Sequence, residues 1–165
     1  MRAVEAIEIN PGRDALRAWL RLLACTNLVE REVRGRLRDE FGTTLPRFDV
    51  LAQLDAASHG STPRLTMTEL SRRLMVTNGN LTSLVERLVQ EKLIIRTASL
   101  SDRRTQFVRL SPAGKRALDA MTPAHQMWIE SMFAGLTGAE RSRLSDLLGK
   151  LRGSLRDTLN GEGAP

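Results

Sequence analysis

The stretch from Thr66 to Gln90 leaves few folds open. Thr66-Met67-Thr68-Glu69 is a capping box: the Thr hydroxyl can accept the third helical N–H while the Glu69 carboxylate reaches back to the cap. The helix it starts runs to about Leu74, too short to be stable alone. The segment Met75-Val76-Thr77-Asn78-Gly79-Asn80 breaks it and starts another. In this second helix Leu81, Leu84, Val85, Leu88 and Val89 fall at i, i+3, i+4, i+7 and i+8, one buried stripe. The opposite face carries Asn78, Asn80, Thr82, Ser83, Glu86, Arg87 and Gln90. Two helices joined by a tight polar turn make a helix-turn-helix. Short polar side chains at the start of the second helix can approach base edges in a major groove, with the helix N-terminus toward phosphate.

A hairpin follows. Leu93–Thr97 and Thr105–Leu110 read as antiparallel strands, the second with Gln106, Val108 and Leu110 on one face and Phe107 and Arg109 on the other. The tip, Ser99-Leu100-Ser101-Asp102-Arg103-Arg104, projects two arginines suited to a narrow, electronegative minor groove. Asp102 is placed to orient one of them by a paired hydrogen bond. Charge points the same way. Residues 61–116 hold eleven Lys/Arg against four Asp/Glu, or +7, whereas the other 109 residues sum to −1. A positive field confined to a third of the chain is the footprint of a surface that docks on phosphate.

The flanks are helical. Only six residues are aromatic and there is no Tyr, which argues against a strand-rich fold. Residues 1–12 read as an arm ending in the turn signal Asn10-Pro11-Gly12. An amphipathic helix is expected from about Asp14 to Glu40, its charged second half solvated and Phe41-Gly42 ending it. Thr44 is expected to cap a helix with Pro46 in its first turn and Phe48, Val50, Leu51 and Leu54 apolar, followed by a loop over 56–63. Ser111-Pro112 opens a helix to about Leu136 that Pro123 should kink. A second capping box, Thr137-Gly138-Ala139-Glu140, starts a terminal helix with Leu144, Leu147, Leu148, Leu151, Leu155 and Leu159 in a stripe that needs a partner surface.

Several function classes find no support. A single cysteine, Cys25, excludes an internal disulfide framework and suits a reducing cytoplasm. No apolar run approaches the roughly 18 residues of a membrane span. His59 and His125 are far apart, no metal-ligand spacing occurs, and no cofactor is called for. The chain also lacks a nucleophile–base–orienter set, a phosphate-cradling Gly loop and paired carboxylates, so an enzyme is not expected.

The order of elements resembles the MarR family of winged helix-turn-helix transcriptional regulators, mainly α with a small β-hairpin wing. The resemblance rests on Leu65-Thr66-Met67-Thr68-Glu69-Leu70-Ser71-Arg72-Arg73-Leu74, Thr77-Asn78-Gly79-Asn80-Leu81-Thr82-Ser83-Leu84-Val85-Glu86-Arg87-Leu88, Asp102-Arg103-Arg104 and Val108-Arg109-Leu110-Ser111-Pro112-Ala113-Gly114. It implies a single domain over 13–160, between an arm at 1–12 and a tail at 161–165. Within it, dimerisation helices at 13–44 and 111–160 would flank a winged helix at 45–110. It further implies a cytoplasmic homodimer that binds near-palindromic promoter DNA, represses, and releases when a small ligand binds. Two recognition helices then enter major grooves roughly 34 Å apart, and an effector needs a differential affinity of about 1–3 kcal/mol to separate the states. The DNA contacts implied are Thr66, Arg72, Arg73, Thr77, Asn78, Asn80, Thr82, Ser83, Arg87, Asp102, Arg103 and Arg104. Among these, Arg104 would enter the minor groove with Asp102 orienting it, and Arg103 would meet phosphate. Ser83 stands where family members often carry a longer basic residue, which shifts base readout toward Asn78, Asn80 and Thr82.

For the effector, Trp19-Leu20-Arg21-Leu22-Leu23-Ala24-Cys25-Thr26 and Thr44-Leu45-Pro46-Arg47-Phe48-Asp49 look similar to family members controlling aromatic-acid degradation, some of which respond to hydroxycinnamoyl-CoA. The chain has 22 Arg and 3 Lys, and arginine holds phosphates by forked hydrogen bonds. Candidate pocket residues are Trp19, Leu23, Asn27, Phe48 and His125, with Trp19 reading as core before ligand contact. Cys25 reads as a packed core thiol, because redox-sensing relatives hold theirs with tyrosine hydroxyls. The alternatives are an architectural DNA binder without an effector and a redox-sensing repressor acting through Cys25.

Overall fold

The computed structural model describes residues 11–60, 64–99 and 105–161. Six helices and three short strands follow in the order α1 (Pro11–Phe41), α2 (Leu45–Ser58), β1 (Leu65–Thr66), α3 (Met67–Leu74), α4 (Asn78–Gln90), β2 (Ile94–Ala98), β3 (Gln106–Leu110), α5 (Pro112–Met132) and α6 (Gly138–Gly161). The chain falls into two compact units, 1–125 and 126–165.

In the first unit, α1 begins at Pro11, so Pro11-Gly12 forms helix rather than the expected turn. Proline tolerates this position because its missing N–H belongs to the unsatisfied first turn. The second half of α1 is laced by i,i+4 pairs, Arg34–Glu30 at 2.6 Å and Arg36–Glu32 at 2.7 Å. Gly42, at φ +60°, ends it, in a left-handed conformation that glycine adopts without strain. Thr44 occupies the α2 N-cap with extended backbone but makes no side-chain capping bond; its carbonyl accepts the N–H groups of Arg47 and Phe48 instead, each at 3.1 Å. The expected loop over 56–63 starts later, because α2 runs through Ser58.

The core of this unit takes Val33 and Leu37 from α1, Phe48, Val50, Leu51 and Leu54 from α2, Leu70 from α3, and Leu81, Val85 and Leu88 from α4. Ile94, Val108, Leu118 and Met121 complete it, and all of these are buried. Fully burying such side chains contributes about 1.5–3 kcal/mol each. The wing sheet has three strands in the order β1-β3-β2, all antiparallel: the expected hairpin, with the short edge at Leu65 joined to it. Leu65 pairs with Val108 and Thr66 with Phe107, which fastens the base of the wing to the start of α3.

The start of α5 is a tight joint. The Ser111 hydroxyl donates to the Lys92 carbonyl at 2.6 Å and accepts the Gly114 N–H at 2.9 Å, and the Ser111 N–H donates to the Leu93 carbonyl at 3.1 Å. Ser111 is 6% exposed, a buried polar group with its hydrogen-bonding capacity used. At the end of α4, Lys92 sits at φ 62°, and Leu93 N–H returns to the Leu88 carbonyl at 2.9 Å, a Schellman end to the helix. The helix α5 continues through Pro123 and stops at Met132, four residues before the expected Leu136.

In the second unit the Thr137–Glu140 capping box forms as expected, with the Glu140 carboxylate accepting Thr137 N–H at 2.7 Å and its hydroxyl at 2.8 Å. Those bonds hold the Glu140 carboxyl below its ordinary pKa. Leu147, Leu148, Leu151, Leu155 and Leu159 stand exposed along α6.

Candidate nucleic-acid interface

The helix-turn-helix is set by two caps. At α3 the Thr66 hydroxyl donates to Glu69 Oε2 at 2.8 Å and accepts the Glu69 N–H at 3.1 Å, while Thr66 N–H donates to the same carboxylate at 2.8 Å. These bonds, with Arg73 and Arg72 adding to them, hold the Glu69 carboxyl below its ordinary pKa. The Thr66 hydroxyl proton is therefore committed to the cap. The turn is pinned at Ser71, whose hydroxyl donates to the Val76 carbonyl at 2.7 Å and whose carbonyl accepts the Val76 N–H at 3.2 Å. Met75 takes the left-handed conformation there, φ 54°, and is 91% exposed.

Thr77 is the N-cap of α4 and makes no side-chain capping bond, so its exposed hydroxyl is not spent on the helix. Leu81, Val85 and Leu88 are sealed inward while Asn80, Ser83 and Arg87 are exposed and Thr82 is half-buried. Asn78 opens the helix, and Arg72 and Arg73 are exposed on α3. Asp102, Arg103 and Arg104 lie outside the described residues. The described strands converge on that tip: Ser99 N–H donates to the Thr105 carbonyl at 2.9 Å, and the β2–β3 ladder runs from Ile94–Leu110 to Ala98–Gln106.

One element ties this surface to the rest of the first unit. At one end of α2, Arg47 grips the Glu91 carboxylate with both terminal nitrogens, one at 2.8 Å, and Glu91 is the C-cap of α4. The pairing raises the Arg47 pKa and lowers that of Glu91. At the other end Asp55 meets Lys115 of α5 at 3.1 Å, and Lys115 also donates to Asp119 at 2.7 Å. The bridge between α2 and the end of the recognition helix was not expected; its two residues lie 44 positions apart, and charge type alone does not select a partner at that separation.

The expected pocket residues divide. Phe48 and His125 meet, ring centroids 4.6 Å apart, and burial pushes the His125 pKa below its ordinary value. Trp19, Leu23 and Asn27 lie on α1 and are exposed. Trp19 is 55% exposed and so is not core as expected. Cys25 is exposed too, which corrects the expectation of a packed thiol. The apolar face of α1 is broader than the core of this unit covers, and Leu16, Leu20 and Leu28 are exposed with it. Among the described residues two concavities bear on a ligand. A groove of about 330 Å³ follows α1, lined by Asn27, Glu30, Arg31, Arg34, Gly35 and Arg38. A cleft of about 310 Å³ is lined by Phe41, Gly42, Thr43, Arg47, Leu51, Leu93, Ala117, Ala120 and Met121, none of them singled out in advance as pocket residues. Among the described residues no cluster of side chains could hold a metal, and no helix is long and apolar enough to cross a membrane.

His125 gives a pH prediction. Its folded pKa is depressed by burial, so the unfolded chain binds the proton more readily. Stability is fully present above the ordinary histidine range and is lost as pH falls through it. Thermal melts between about pH 7 and pH 5 should show this loss in the wild type and a flatter profile in His125→Phe. The carboxylates of Glu69 and Glu91 contribute only to a later loss, because their pKa values are lowered. An unchanged profile in His125→Phe would show that His125 does not cause it.

Comparison with known proteins agrees with this geometry. The model of the MarR family matches residues 41–105. An uncharacterized HTH-type transcriptional regulator of Bacillus cereus is 28% identical over 126 residues, 76% of this chain and 80% of its own length. The HTH-type transcriptional repressor YetL of Bacillus subtilis is 29% identical over 111 residues, 67% of this chain and 64% of its own. Among solved structures, Sco3205 of Streptomyces coelicolor, a MarR family transcriptional regulator in complex with DNA, superposes with a TM-score of 0.74 at 24% identity over 85% of this chain and 90% of its own. BpsR of Bordetella bronchiseptica, whose DNA binding is regulated by 6-hydroxynicotinic acid, superposes at 0.60 with 25% identity, covering 86% and 97% of the two chains. With the helix-turn-helix, the three-stranded wing and the flanking helices, these matches make the chain similar to the MarR family of winged helix-turn-helix transcriptional regulators, whose model covers its residues 41–105.

Proposed function

We propose that the protein is a homodimeric repressor that binds a pseudo-palindromic promoter site and leaves it when a small aromatic effector binds. The observation that carries the DNA-binding part is α4, a helix whose inner stripe is sealed while Asn80, Ser83 and Arg87 stand exposed, within a segment of net charge +7. Thr77, Asn78, Asn80, Thr82 and Ser83 read bases in the major groove, and Arg104, oriented by Asp102, reads the minor groove. Arg72, Arg73, Arg87 and Arg103 hold phosphates. Thr66 acts through the cap it gives α3. The mode of action follows the relative named a repressor.

Two substitutions separate readout from charge. Arg104→Ala should cost about 1–3 kcal/mol on the operator and little on unrelated DNA. Arg72→Ala should weaken binding evenly across sequences and reduce the salt slope by about one. Anisotropy titrations on both duplexes measure this, and a sequence-specific loss for Arg72→Ala would contradict its assignment.

For the effector, the support is the cleft beside Arg47. Its volume of about 310 Å³ suits a single aromatic acid. A ligand there touches Arg47, and through Glu91 the end of the recognition helix. The α1 groove adds Arg31, Arg34 and Arg38, guanidinium groups of the kind that hold the phosphates of a hydroxycinnamoyl-CoA. Trp19, Leu23, Asn27, Phe48 and His125 remain candidate ligand contacts. Regulation of DNA binding in BpsR concerns an aromatic acid as well. Isothermal titration of the protein with p-coumarate and with p-coumaroyl-CoA tests the proposal; no heat from either overturns it.

A further inference from the structure

We infer that Arg64 is a DNA-phosphate contact at the base of the wing, held in place by the ring of Phe107; the inference rests on the DNA-binding reading above. Arg64 precedes β1 by one residue, and its guanidinium carbon lies 4.1 Å from the centroid of the Phe107 ring. Phe107 pairs with Thr66 on one side and Thr97 on the other, and Arg109 pairs with Ile95. Directly paired residues share a face of the sheet, so these five lie opposite the face that buries Leu65 and Val108. Thr105, whose carbonyl closes the hairpin onto Ser99, is two residues from Phe107, about 7 Å along the strand. The Arg64 guanidinium is thus held on the outward face of the wing, two residue pairs below its closing bond.

The partner matters. Other arginines of this region that fasten the fold do so through carboxylates: Arg47 to Glu91, and Arg96 of β2 to Glu86 at 4.0 Å. Those pairings neutralise the charge. Among the described residues no carboxylate pairs with Arg64. An aromatic ring orients a guanidinium through its flat face and leaves the charge and the in-plane N–H donors available. Arg64 is exposed, on a segment with eleven basic and four acidic residues. A full charge with restricted rotamers suits phosphate, because less conformational freedom is lost on contact.

The test is anisotropy on a short mixed-sequence duplex across a salt series, with thermal melts alongside. Arg64→Met keeps an aliphatic cover on Phe107 and removes the charge. It should melt like wild type, reduce the slope of log K against log salt by about one, and bind about tenfold more weakly at about 50 mM salt. Arg64→Lys should keep the slope. Phe107→Leu keeps the charge and removes the ring, so it should keep the slope and lose affinity a few-fold. Wild-type affinity and slope in Arg64→Met overturn the contact, and wild-type affinity in Phe107→Leu overturns the role of the ring. Failure of the wild type to bind any duplex overturns the DNA-binding reading and this inference with it.

Discussion

Leu151→Glu combined with Leu155→Glu is expected to leave a folded monomer that binds a two-half-site duplex at least about a thousandfold more weakly than wild type. The two leucines are 44% and 51% exposed on α6, in line with Leu147, Leu148 and Leu159. A contiguous apolar stripe of that extent marks an interaction surface. Because these side chains are exposed in the single chain, the substitutions cost its own fold little. In a dimer interface each places a charge in apolar surroundings, which is strongly unfavourable. In the proposed dimer the affinity loss follows from geometry: one subunit reaches one half-site, and the second recognition helix is no longer delivered at high effective concentration. Light scattering on the purified variant and anisotropy on the operator read both parts. A variant that remains dimeric would move the interface away from this stripe.

Gly114→Ala should destabilise the protein by about 3 kcal/mol or more. A Cβ built on Gly114 would lie 2.0 Å from the Leu93 carbonyl oxygen and 3.1 Å from Leu110 Cδ2. The first of these atoms is backbone, held by the Ser111 N–H, and cannot swing aside. The substitution therefore forces α5 off the wing, or breaks the bonds that Ser111 makes to Lys92 and Gly114. A melting temperature lower by roughly 6–12 °C is expected for a chain of this size. Gly35→Ala is the control: nothing lies within 4 Å of its added Cβ, in the interior of α1. Removing a helix-interior glycine there should gain about 0.5–1 kcal/mol. Equal melting temperatures for Gly114→Ala and wild type would mean that the joint is looser than its hydrogen bonds imply.

The parts legible in the sequence were those written in local grammar. Both capping boxes, at Thr66–Glu69 and Thr137–Glu140, depend on residues three apart, and both form. The stripe Leu81–Leu88 announced α4 because a periodic apolar face is a local pattern that tertiary packing then uses. What the sequence left out depends on distant pairings. The short edge at β1 takes β3 as its partner, a strand far along the chain that the edge itself does not name. The Arg47–Glu91 bridge joins the start of α2 to the end of α4, and the cleft beside it collects residues from α1, α2 and α5. The apolar residues of α1 and α6 were readable as stripes, but periodicity does not say which neighbour covers a stripe. Trp19 therefore read as core and stands exposed. Cys25 likewise stands exposed where a packed thiol is expected.

The central claim is that α4 and the wing select a DNA sequence. Its most direct test is fluorescence anisotropy of the wild-type protein on the intergenic DNA upstream of its own gene against a scrambled duplex, at one physiological salt concentration. Binding to the upstream DNA is expected to be at least about a thousandfold tighter than to the scrambled one. Equal, weak and salt-sensitive binding to both would contradict it, and would leave a basic surface that holds phosphate without reading bases.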